Sequence, residues 1–244
     1  MKSVILAAGV SARLRPLTND IPKCLLKIGA KTILQRTLDN LLAYNLNDVI
    51  IVTGYLQEQI KNFINGFYPQ LEINYIFNDK YDTTNNIYSL WMTKDFVAND
   101  EMLLMDSDIL FDKRILGLLL KSEYRNCLAL RSDHQLSDEE IKVRLNNDKS
   151  IGEISKTVDL QHAVGESIGI EKFSAEFTNK LFEILDRKIL VENKVKIFYE
   201  AAFQDAINEG NKIYAVDIGK LKCIEVDFAE DIEKANREVI KYLD

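Results

Sequence analysis

The first half of the chain alternates between two hydrophobic patterns. Short uninterrupted apolar runs predict buried β-strands, and stretches with apolar residues three or four positions apart predict helices. The predicted strands cover residues 3–8, 48–53, 72–77 and 101–105, and the predicted helices cover 32–44, 56–67, 86–95 and 113–121. This alternation predicts parallel strands joined by crossover helices in an open α/β sheet.

The second half of the chain is richer in strands. Predicted strands lie at 127–131, 140–145, 151–156, 167–171, 213–216 and 223–226, and predicted helices at 173–190, 198–209 and 229–243. No Pro- or Gly-rich linker, low-complexity segment or repeat divides the sequence. We therefore expect a single domain over residues 1–244, with halves at about 1–125 and 126–244 that share one sheet. The expected fold is Rossmann-like, a mixed but mostly parallel open sheet flanked by helices.

Composition fits a folded protein with a sizeable core. Of the 244 residues, 47% are hydrophobic and 28% are charged. No apolar run approaches the roughly 18–20 residues that a membrane span needs. The N-terminus enters strand-like sequence after one lysine and is a poor signal peptide, so we expect a cytoplasmic protein.

Cysteine, histidine and charge narrow the candidate chemistry. Cys24, Cys127 and Cys223 are scattered and form no C-x-x-C motif, so neither a zinc site nor a disulfide framework is predicted. His134 and His162 lack the spacing of metal ligands, which favours structural or surface roles. The net charge of −7 argues against a general nucleic-acid surface, but not against a small nucleotide held by a local loop.

The most informative stretch is residues 6–23, LAAGVSARLRPLTNDIPK, which follows the first predicted strand. Gly9 allows the backbone to turn without a Cβ in the way. Free backbone N–H groups beside Arg13, Arg15 and Lys23 suit a chain of phosphates. Because ligands of open α/β sheets bind beyond the carboxyl ends of the strands, we hypothesise that this loop holds a nucleoside triphosphate.

Two carboxylates follow another predicted strand. Asp106 and Asp108 come directly after residues 101–105. Aspartate also favours such turns for local hydrogen-bonding reasons. A polyphosphate site, however, requires a cation such as Mg²⁺, which binds one or two carboxylates together with phosphate oxygens.

The loop pattern L-A-A-G-x-x-x-R-L-x-P-L-T-x-x-x-P-K resembles the signature of the nucleotidyltransferases that activate sugar phosphates and related small phosphates. The resemblance implies a fold of the nucleotide-diphospho-sugar transferase type. It implies that Leu6, Ala8 and Gly9 surround the triphosphate and that Arg13 and Lys23 contact it as catalytic cations. Ser11 and Ala12 stand where the family usually has glycine and Ser or Thr.

The same resemblance implies a metal site. Asp108 corresponds to the family's metal aspartate and is a further catalytic candidate, with Asp106 beside it as a second contact in the nucleotide site. Asp227 follows the predicted strand 223–226, as the family's second metal aspartate does. Taken alone, Asp227 is more typical of a helix N-cap than of a metal ligand. The implied cofactor is Mg²⁺, bound by Asp108 and Asp227.

Residues 81–90, YDTTNNIYSL, predict a helix N-terminus capped by Thr84 or Asn85. Amide side chains also suit the edge of a nucleobase. Together with 54–56 and 77–81, this stretch resembles the phosphocholine and 2-aminoethylphosphonate cytidylyltransferase branch of the family. The resemblance implies CTP as the nucleotide and adds Asn85, Asn86 and Ser89 to its site.

The acceptor site is predicted in the second half. Lys156 corresponds to a family lysine that contacts the acceptor phosphate, and Glu166 precedes a strand that should line the pocket. Both are equally well explained as surface charges. Tyr88, Trp91 and Tyr199 are candidates for a cation–π cage around a quaternary ammonium, or for ordinary core positions, and Tyr199 is retained as an acceptor contact.

The predicted function is a cytidylyltransferase that condenses CTP with a small phosphate or phosphonate, such as phosphocholine or 2-aminoethylphosphonate, and releases pyrophosphate. The first alternative is a sugar-1-phosphate nucleotidylyltransferase that uses UTP, dTTP or CTP. The second is a non-catalytic nucleotide-binding regulator. A dinucleotide oxidoreductase is disfavoured because the loop is not G-x-G-x-x-G. No nucleic-acid or membrane partner is expected, and self-association into a homo-oligomer is left open.

Overall fold

The computed structural model describes residues 1–243 and contains strands and helices in the predicted order. The strands are β1 (Lys2–Ala7), β2 (Lys27–Ile28), β3 (Lys31–Thr32), β4 (Asp48–Thr53), β5 (Glu72–Phe77), β6 (Met102–Asp106), β7 (Ile109–Phe111), β8 (Cys127–Arg131), β9 (Lys142–Leu145), β10 (Ile151–Ser155), β11 (Gly165–Phe173), β12 (Tyr214–Asp217) and β13 (Cys223–Glu225). The α-helices are α1 (Ile33–Ala43), α2 (Gln57–Phe67), α3 (Asn86–Trp91), α4 (Lys94–Val97), α5 (Arg114–Lys121), α6 (Ala175–Asp186), α7 (Glu200–Asn208) and α8 (Ala229–Lys234).

A mixed sheet of nine strands forms the centre of the molecule. Seven strands follow the order β10-β9-β11-β6-β1-β4-β5, with β8 beside β11 and β12 beside β8. Strands β6, β1, β4 and β5 are parallel neighbours. Strand β11 pairs antiparallel with β6 and joins the second half of the chain to the same sheet. The predicted fold class is confirmed.

The core lies on both faces of this sheet, which explains the uninterrupted apolar runs. Val4 and Leu6 of β1 face one hydrophobic cluster, which includes Phe203 of α7. Ile5 and Ala7 face the other cluster, which α1 helps to form. Strands β1, β4 and β6 are therefore buried along nearly their whole length, and their functional groups are confined to the strand ends, whereas the edge strand β5 is mostly exposed or half-buried.

Several boundaries differ from the predicted ones. The predicted helix 86–95 is divided between α3 and α4. Phe173 belongs to β11, and α6 begins later because the Ser174 hydroxyl accepts a hydrogen bond from Phe177 N and caps the helix. The closing helix is α8 followed by a π-helical turn, Ala235–Val239. Strand β7 was not predicted. Among residues 1–243, no helix combines the length and the apolar character that crossing a membrane requires.

Candidate active site

A cavity of about 780 Å³ opens at the carboxyl ends of the parallel strands. Nearly all of the predicted site residues line it: Leu6, Ala8, Gly9, Arg13, Lys23, Asn85, Asn86, Ser89, Asp106, Asp108, Lys156, Glu166 and Asp227. The exception is Tyr199, which is fully buried in the core and lies behind the cavity wall. The fold thus gathers residues from both halves of the chain around one space.

The loop after β1 is shaped by Ser11 rather than by Gly9. Ser11 has φ 52° and ψ 50°, the left-handed conformation that favours glycine. The Thr18 hydroxyl donates a 2.9 Å hydrogen bond to the Ser11 carbonyl and holds this turn. Gly9 lies outside the left-handed region, and a Cβ there would meet no atom within 4 Å. Gly9 therefore does not adopt a conformation that requires glycine, and the absence of a Cβ there leaves free space beside the cavity.

A second glycine is needed for close packing beneath the loop. A Cβ on Gly54, directly after β4, would lie 2.5 Å from the Ala8 carbonyl oxygen and 2.6 Å from Cβ of Tyr81. The neighbouring Tyr55 N donates a 3.2 Å hydrogen bond to the same carbonyl. Gly54 therefore lets three loops meet beside the part of the cavity that Ala8 and Tyr81 line.

Asp108 and Asp227 are brought together by the pairing of β7 with β13, which places Ile109 opposite Glu225. Beyond this pair, Val226 N donates a 3.0 Å hydrogen bond to the Asp108 carbonyl. The turn that contains Asp108 thus lies against the segment that contains Asp227.

Lys23 joins the two carboxylates. Its Nζ lies 2.9 Å from Oδ2 of Asp108 and 2.6 Å from Oδ1 of Asp227. Burial opposes the charge of this ammonium, but the two carboxylates outweigh it and raise the pKa of Lys23 well above its usual value. Arg13 donates a 2.6 Å hydrogen bond to the other oxygen of Asp227, and its guanidinium lies 5.0 Å from the centre of the Phe228 ring. Two cations therefore meet the carboxylates at the mouth of the loop.

These carboxylates fit a divalent cation. Asp108, Asp227 and Glu225 each offer an oxygen, and these oxygens lie within 4.8 Å of one another. Oδ1 of Asp108 is buried and has no hydrogen-bond partner among the described residues. Burial, followed by the charges of Asp108 and Asp227, raises the pKa of Glu225 to about 8. An unpaired buried oxygen within a set of hard oxygen donors is what a divalent ion would satisfy.

Asp227 does not cap the following helix, which was the other interpretation of its position. The Asp231 carboxylate accepts hydrogen bonds from the backbone N–H groups of Asp227 and Phe228, at 2.9 Å and 2.7 Å. The start of α8 is therefore capped from within, and the Asp227 carboxylate is directed to the cations.

Asp106 occupies a different environment from Asp108. Tyr199 Oη donates a 3.0 Å hydrogen bond to Oδ2 of Asp106. Burial, followed by the charge of Asp108, raises the pKa of Asp106. A Cβ on Gly169, which has φ +69°, would lie 2.7 Å from the same carboxylate oxygen. Asp106 is thus fixed against the core, and Tyr199 acts on the site through it.

The N-terminus of α3 leaves amide hydrogens available. Oδ1 of Asn85 accepts a 2.7 Å hydrogen bond from Asn86 N, which confirms Asn85 as the cap. Oδ1 of Asn86 accepts a 3.0 Å bond from Tyr199 N. Each carbonyl oxygen thus already accepts one backbone hydrogen bond, and no hydrogen bond from either Nδ2 group is found among the described residues, so the Nδ2 donors are available to a ligand. Ser89 accepts a 3.1 Å bond from Nδ2 of Asn78, which fixes its hydroxyl beside them.

Glu166 already has partners within the protein. Its carboxylate is ion-paired with Arg131, and the other oxygen lies 3.4 Å from Nε2 of His134. Burial raises the pKa of Glu166 to about 7, against the charge of Arg131. Nε of Arg131 also donates a 3.2 Å bond to Nδ1 of His134. A neutral His134 therefore carries its hydrogen on Nε2 and cannot ligate a metal there, although Glu140 is also near.

The predicted aromatic cage does not form. Trp91 donates a 2.9 Å hydrogen bond from Nε1 to Asp186. Tyr88 packs on Trp91 with ring centroids 5.3 Å apart, and neither ring lines the cavity. Tyr199 is buried. Lys156 lies 3.4 Å from Glu139 and 5.2 Å from the centre of the Phe198 ring, which also lines the cavity.

Sequence reasoning missed several cavity residues. Glu225 lies on the predicted strand 223–226, two positions before Asp227. In extended backbone this spacing directs both side chains to the same side, so the sequence did indicate that Glu225 lies beside Asp227. Arg131 is the last residue of β8, as Asp106 is the last residue of β6, so its position at a strand end was the available signal. Glu200 carried no comparable signal, because a glutamate at a helix start is ordinary.

Comparison with known proteins identifies the family. Residues 2–138 match the sequence model of the family described as Nucleotidyl transferase. The chain belongs to this family. Nucleotidyltransferases of the family generally use a divalent metal, in keeping with the carboxylate group of Asp108, Glu225 and Asp227.

Relatives of this nucleotidyltransferase are cytidylyltransferases. It is 29% identical to CTP:phosphoglutamine cytidylyltransferase of Campylobacter jejuni, over 96% of this chain and 98% of that protein. It is 27% identical to choline-phosphate cytidylyltransferase of Streptococcus pneumoniae, over 99% of both. It is also 26% identical to CMP-5'-(3-aminopropyl)phosphonate synthase of Streptomyces rubellomurinus, over 97% of this chain and 38% of that protein. The resemblance to the cytidylyltransferase branch is confirmed.

Solved structures agree. The CTP:phosphocholine cytidylyltransferase of S. pneumoniae superposes with a TM-score of 0.77 at 26% identity, over 96% of this chain and 97% of that one. The inositol-1-phosphate CTP transferase of T. maritima gives a TM-score of 0.78 at 18% identity, over 98% and 97%, and shows the shared fold alone. The proteins named here are enzymes, and the expectation of an enzyme rather than a non-catalytic regulator is confirmed.

Proposed function

We propose that this nucleotidyltransferase condenses CTP with a small phosphorylated or phosphonate amino compound and releases pyrophosphate. The observation that carries the proposal is the meeting of Lys23 with Asp108 and Asp227 beside the loop after β1. Cations and metal-type carboxylates lie together there, as transfer of a nucleotidyl group requires. The cytidylyltransferase relatives supply the nucleotide and the class of acceptor.

The loop residues are assigned to the triphosphate. Leu6, Ala8 and Gly9 border it through their backbone, and the free space beside Gly9 allows a phosphate to approach closely. Arg13 and Lys23 neutralise the charge that accumulates on the phosphates as pyrophosphate leaves. Both cations already lie at the cavity wall, so little rearrangement is needed before reaction.

The hydrogen-bonding pattern of α3 supports cytosine. Asn85 and Asn86 can offer Nδ2 donors, whereas the carbonyl oxygen of each is held by a backbone N–H group. Cytosine presents two acceptors, O2 and N3, on its pairing edge, whereas N3 of uracil carries a hydrogen. Two donors therefore complement cytosine and oppose uracil at N3. Ser89 completes this part of the proposed site.

The metal assigned to the carboxylates is Mg²⁺. Asp108 and Asp227 would hold it, with Glu225 beside them, and Asp106 supports the strand end from the core side. When bound, Mg²⁺ supplies positive charge that stabilises the phosphoryl oxygens in the transition state. Lys23 then has the triphosphate as an alternative partner to the two carboxylates.

The acceptor is assigned to the second half of the cavity, where Lys156 and Glu166 lie. An oxygen of its phosphate or phosphonate attacks the α-phosphorus of CTP. This oxygen is already anionic near neutral pH, so no general base is required. The protein contributes chiefly by holding the two reactants in line and by neutralising charge.

Pyrophosphate release tests the proposal. The purified protein is assayed with Mg²⁺, each of CTP, UTP, dTTP, ATP and GTP, and a set of acceptors that includes phosphoethanolamine, phosphocholine, 2-aminoethylphosphonate and glucose 1-phosphate. We expect CTP to exceed UTP at least about tenfold, as one discriminating hydrogen-bond pattern provides. Equal use of UTP would refute the base assignment, and preference for glucose 1-phosphate would make the protein a sugar-phosphate enzyme.

A further inference from the structure

We infer that the acceptor carries a primary ammonium group, which donates hydrogen bonds to the carboxylate of Glu200, and that a quaternary ammonium is a poorer substrate. This inference rests on the proposed cytidylyltransferase function and specifies its second substrate. The supporting observation is a buried oxygen of Glu200, Oε2, which has no hydrogen-bond partner among residues 1–243.

Glu200 is the first residue of α7 and lines the cavity. The residue is only 6% exposed, and its Oε2 is buried without a hydrogen-bond partner among residues 1–243. A buried acceptor without a donor is costly, and native proteins usually satisfy such atoms. A ligand that brings N–H groups into the cavity would remove this cost.

Glu166, the carboxylate favoured by sequence, is less suited to this task. Arg131 is ion-paired with one of its oxygens, and His134 faces the other. Its negative charge is therefore largely compensated within the protein. Among residues 1–243, no salt bridge joins Glu200 to a cation, although the charge of Lys156 acts on it from a distance, so its carboxylate keeps the capacity to bind an ammonium.

The charge of the cavity favours a cationic ligand. Nine carboxylates and five Lys or Arg side chains line it. Four of the five cations already lie close to a carboxylate. Lys23 and Arg13 contact Asp108 or Asp227, Arg131 contacts Glu166, and Lys156 lies near Glu139. A metal ion at one end leaves an excess of negative charge at the other, which attracts an ammonium more strongly than a neutral hydroxyl.

A quaternary ammonium requires a different environment. It has no N–H to donate and depends on the faces of aromatic rings. Tyr88 and Trp91 lie outside the cavity. Of the aromatic side chains that line it, Phe198 already faces the Lys156 ammonium and Phe228 faces the Arg13 guanidinium, which leaves the single ring of Tyr81 rather than a cage. Glu200, Lys156 and Phe198 also line a second cavity of about 760 Å³, so space is available for extra methyl groups. The discrimination therefore comes from hydrogen bonding and not from size.

The matched pair phosphoethanolamine and phosphocholine, which differ only in methylation of the nitrogen, tests this inference in the wild-type protein. With CTP and Mg²⁺, kcat/KM for phosphoethanolamine is expected to exceed that for phosphocholine by at least about tenfold. Glycerol 1-phosphate, which has hydroxyls but no nitrogen, should also be poorer. Equal or better use of phosphocholine or glycerol 1-phosphate would overturn the inference.

Glu200→Gln locates the effect. We expect KM for phosphoethanolamine to rise about tenfold with kcat nearly unchanged, and KM for phosphocholine to stay within about twofold. Glu166→Gln, the comparison variant, should affect both acceptors alike. An unchanged preference in Glu200→Gln would refute the role of this carboxylate. If that variant does not fold, as judged by circular dichroism, the wild-type ratio decides alone.

Different results would refute the cytidylyltransferase function and the assignment of the ammonium group. If no acceptor supports pyrophosphate release from CTP, the cytidylyltransferase function itself is refuted. If CTP is consumed but methylation of the acceptor nitrogen makes no difference, only the ammonium assignment is refuted.

Discussion

The ammonium nitrogen of Lys23 lies 2.6 Å from Oδ1 of Asp227, although 204 positions separate the two residues. The same nitrogen lies 2.9 Å from Oδ2 of Asp108. One cation therefore connects the loop after β1, the end of β6 and the segment after β13. The cations of the loop after β1 and the carboxylates of Asp108 and Asp227 therefore form a single charged group.

Replacement of this cation tests its role directly. Lys23→Met keeps the length of the side chain and removes its charge, so we expect kcat for pyrophosphate release to fall by about 10²–10³. The exposed Lys27→Met, in the neighbouring strand β2, serves as the control and should retain wild-type turnover. Turnover of Lys23→Met within about threefold of wild type would remove Lys23 from the transition-state site.

The carboxylate group predicts metal-linked stability. A divalent ion that binds only the folded protein at a hundredfold excess over its Kd stabilises it by about 2.7 kcal/mol. We therefore expect Mg²⁺ to raise the melting temperature of the wild type but not of Asp108→Asn or Asp227→Asn. Asp217→Asn, on β12 away from the cavity lining, is the control. A normal Mg²⁺ response in either site variant would exclude that residue as a ligand.

Base selectivity should depend on the amide hydrogens of α3. Asn86→Asp keeps the oxygen that accepts from Tyr199 N and removes the Nδ2 donor. We expect the ratio of kcat/KM for CTP to that for UTP to fall about tenfold or more. Asn179→Asp, on α6 and hydrogen-bonded to Asn99, provides a distant control. A ratio that does not change in Asn86→Asp would contradict the assignment of the base.

The left-handed conformation of Ser11 makes a prediction about stability. Ser11→Gly should raise the free energy of unfolding by about 0.5–1 kcal/mol, because relief of the strained φ outweighs the added flexibility of the unfolded chain. Ser11→Ala keeps the strain and should give no such gain. Urea denaturation measures both variants. A loss of stability in Ser11→Gly would mean that the hydroxyl, and not the backbone, matters at this position.

Burial of Glu200 predicts a pH dependence of stability. Its pKa is raised by burial to about 7, above its value in the unfolded chain. The folded state thus binds the proton more tightly, so stability is greatest below about pH 4.5 and is lost as the pH rises towards 7. Without metal or nucleotide, Glu200→Gln should be more stable than wild type at pH 8 by up to about 3 kcal/mol, with little difference at pH 4.5.

Unfolding of both proteins by urea across this pH range measures the effect. Glu139→Gln, whose side chain is 73% exposed, is the matched control and should follow the wild-type curve. Parallel curves for wild type and Glu200→Gln would show that the carboxylate of Glu200 is not desolvated in the folded protein.

Local sequence was sufficient for most of the scaffold. The strand bounds 48–53, 72–77 and 127–131 are as predicted. The runs in β4 and β8 are buried along nearly their whole length, whereas β5 lies at the edge of the sheet and is mostly exposed or half-buried. The paired strands β7 and β13 show the limit. Residues 109–111 were not recognised as a strand, since three residues carry too little periodicity and their pairing depends on a segment more than a hundred positions away.

The features of the candidate site that depend on local sequence were predicted, and those that depend on contacts between distant residues were not. The sequence by itself determined the family loop, the aspartates at the strand ends and a helix cap at Thr84 or Asn85, because each depends on neighbours within a few positions. Only the tertiary structure decided that Glu225 joins Asp108 and Asp227, that Arg131 is ion-paired with Glu166, and that Oε2 of Glu200 has no hydrogen-bond partner among residues 1–243. Those outcomes depend on which charged residues, distant in the sequence, come together in one largely buried cavity. Local sequence patterns do not specify such long-range contacts.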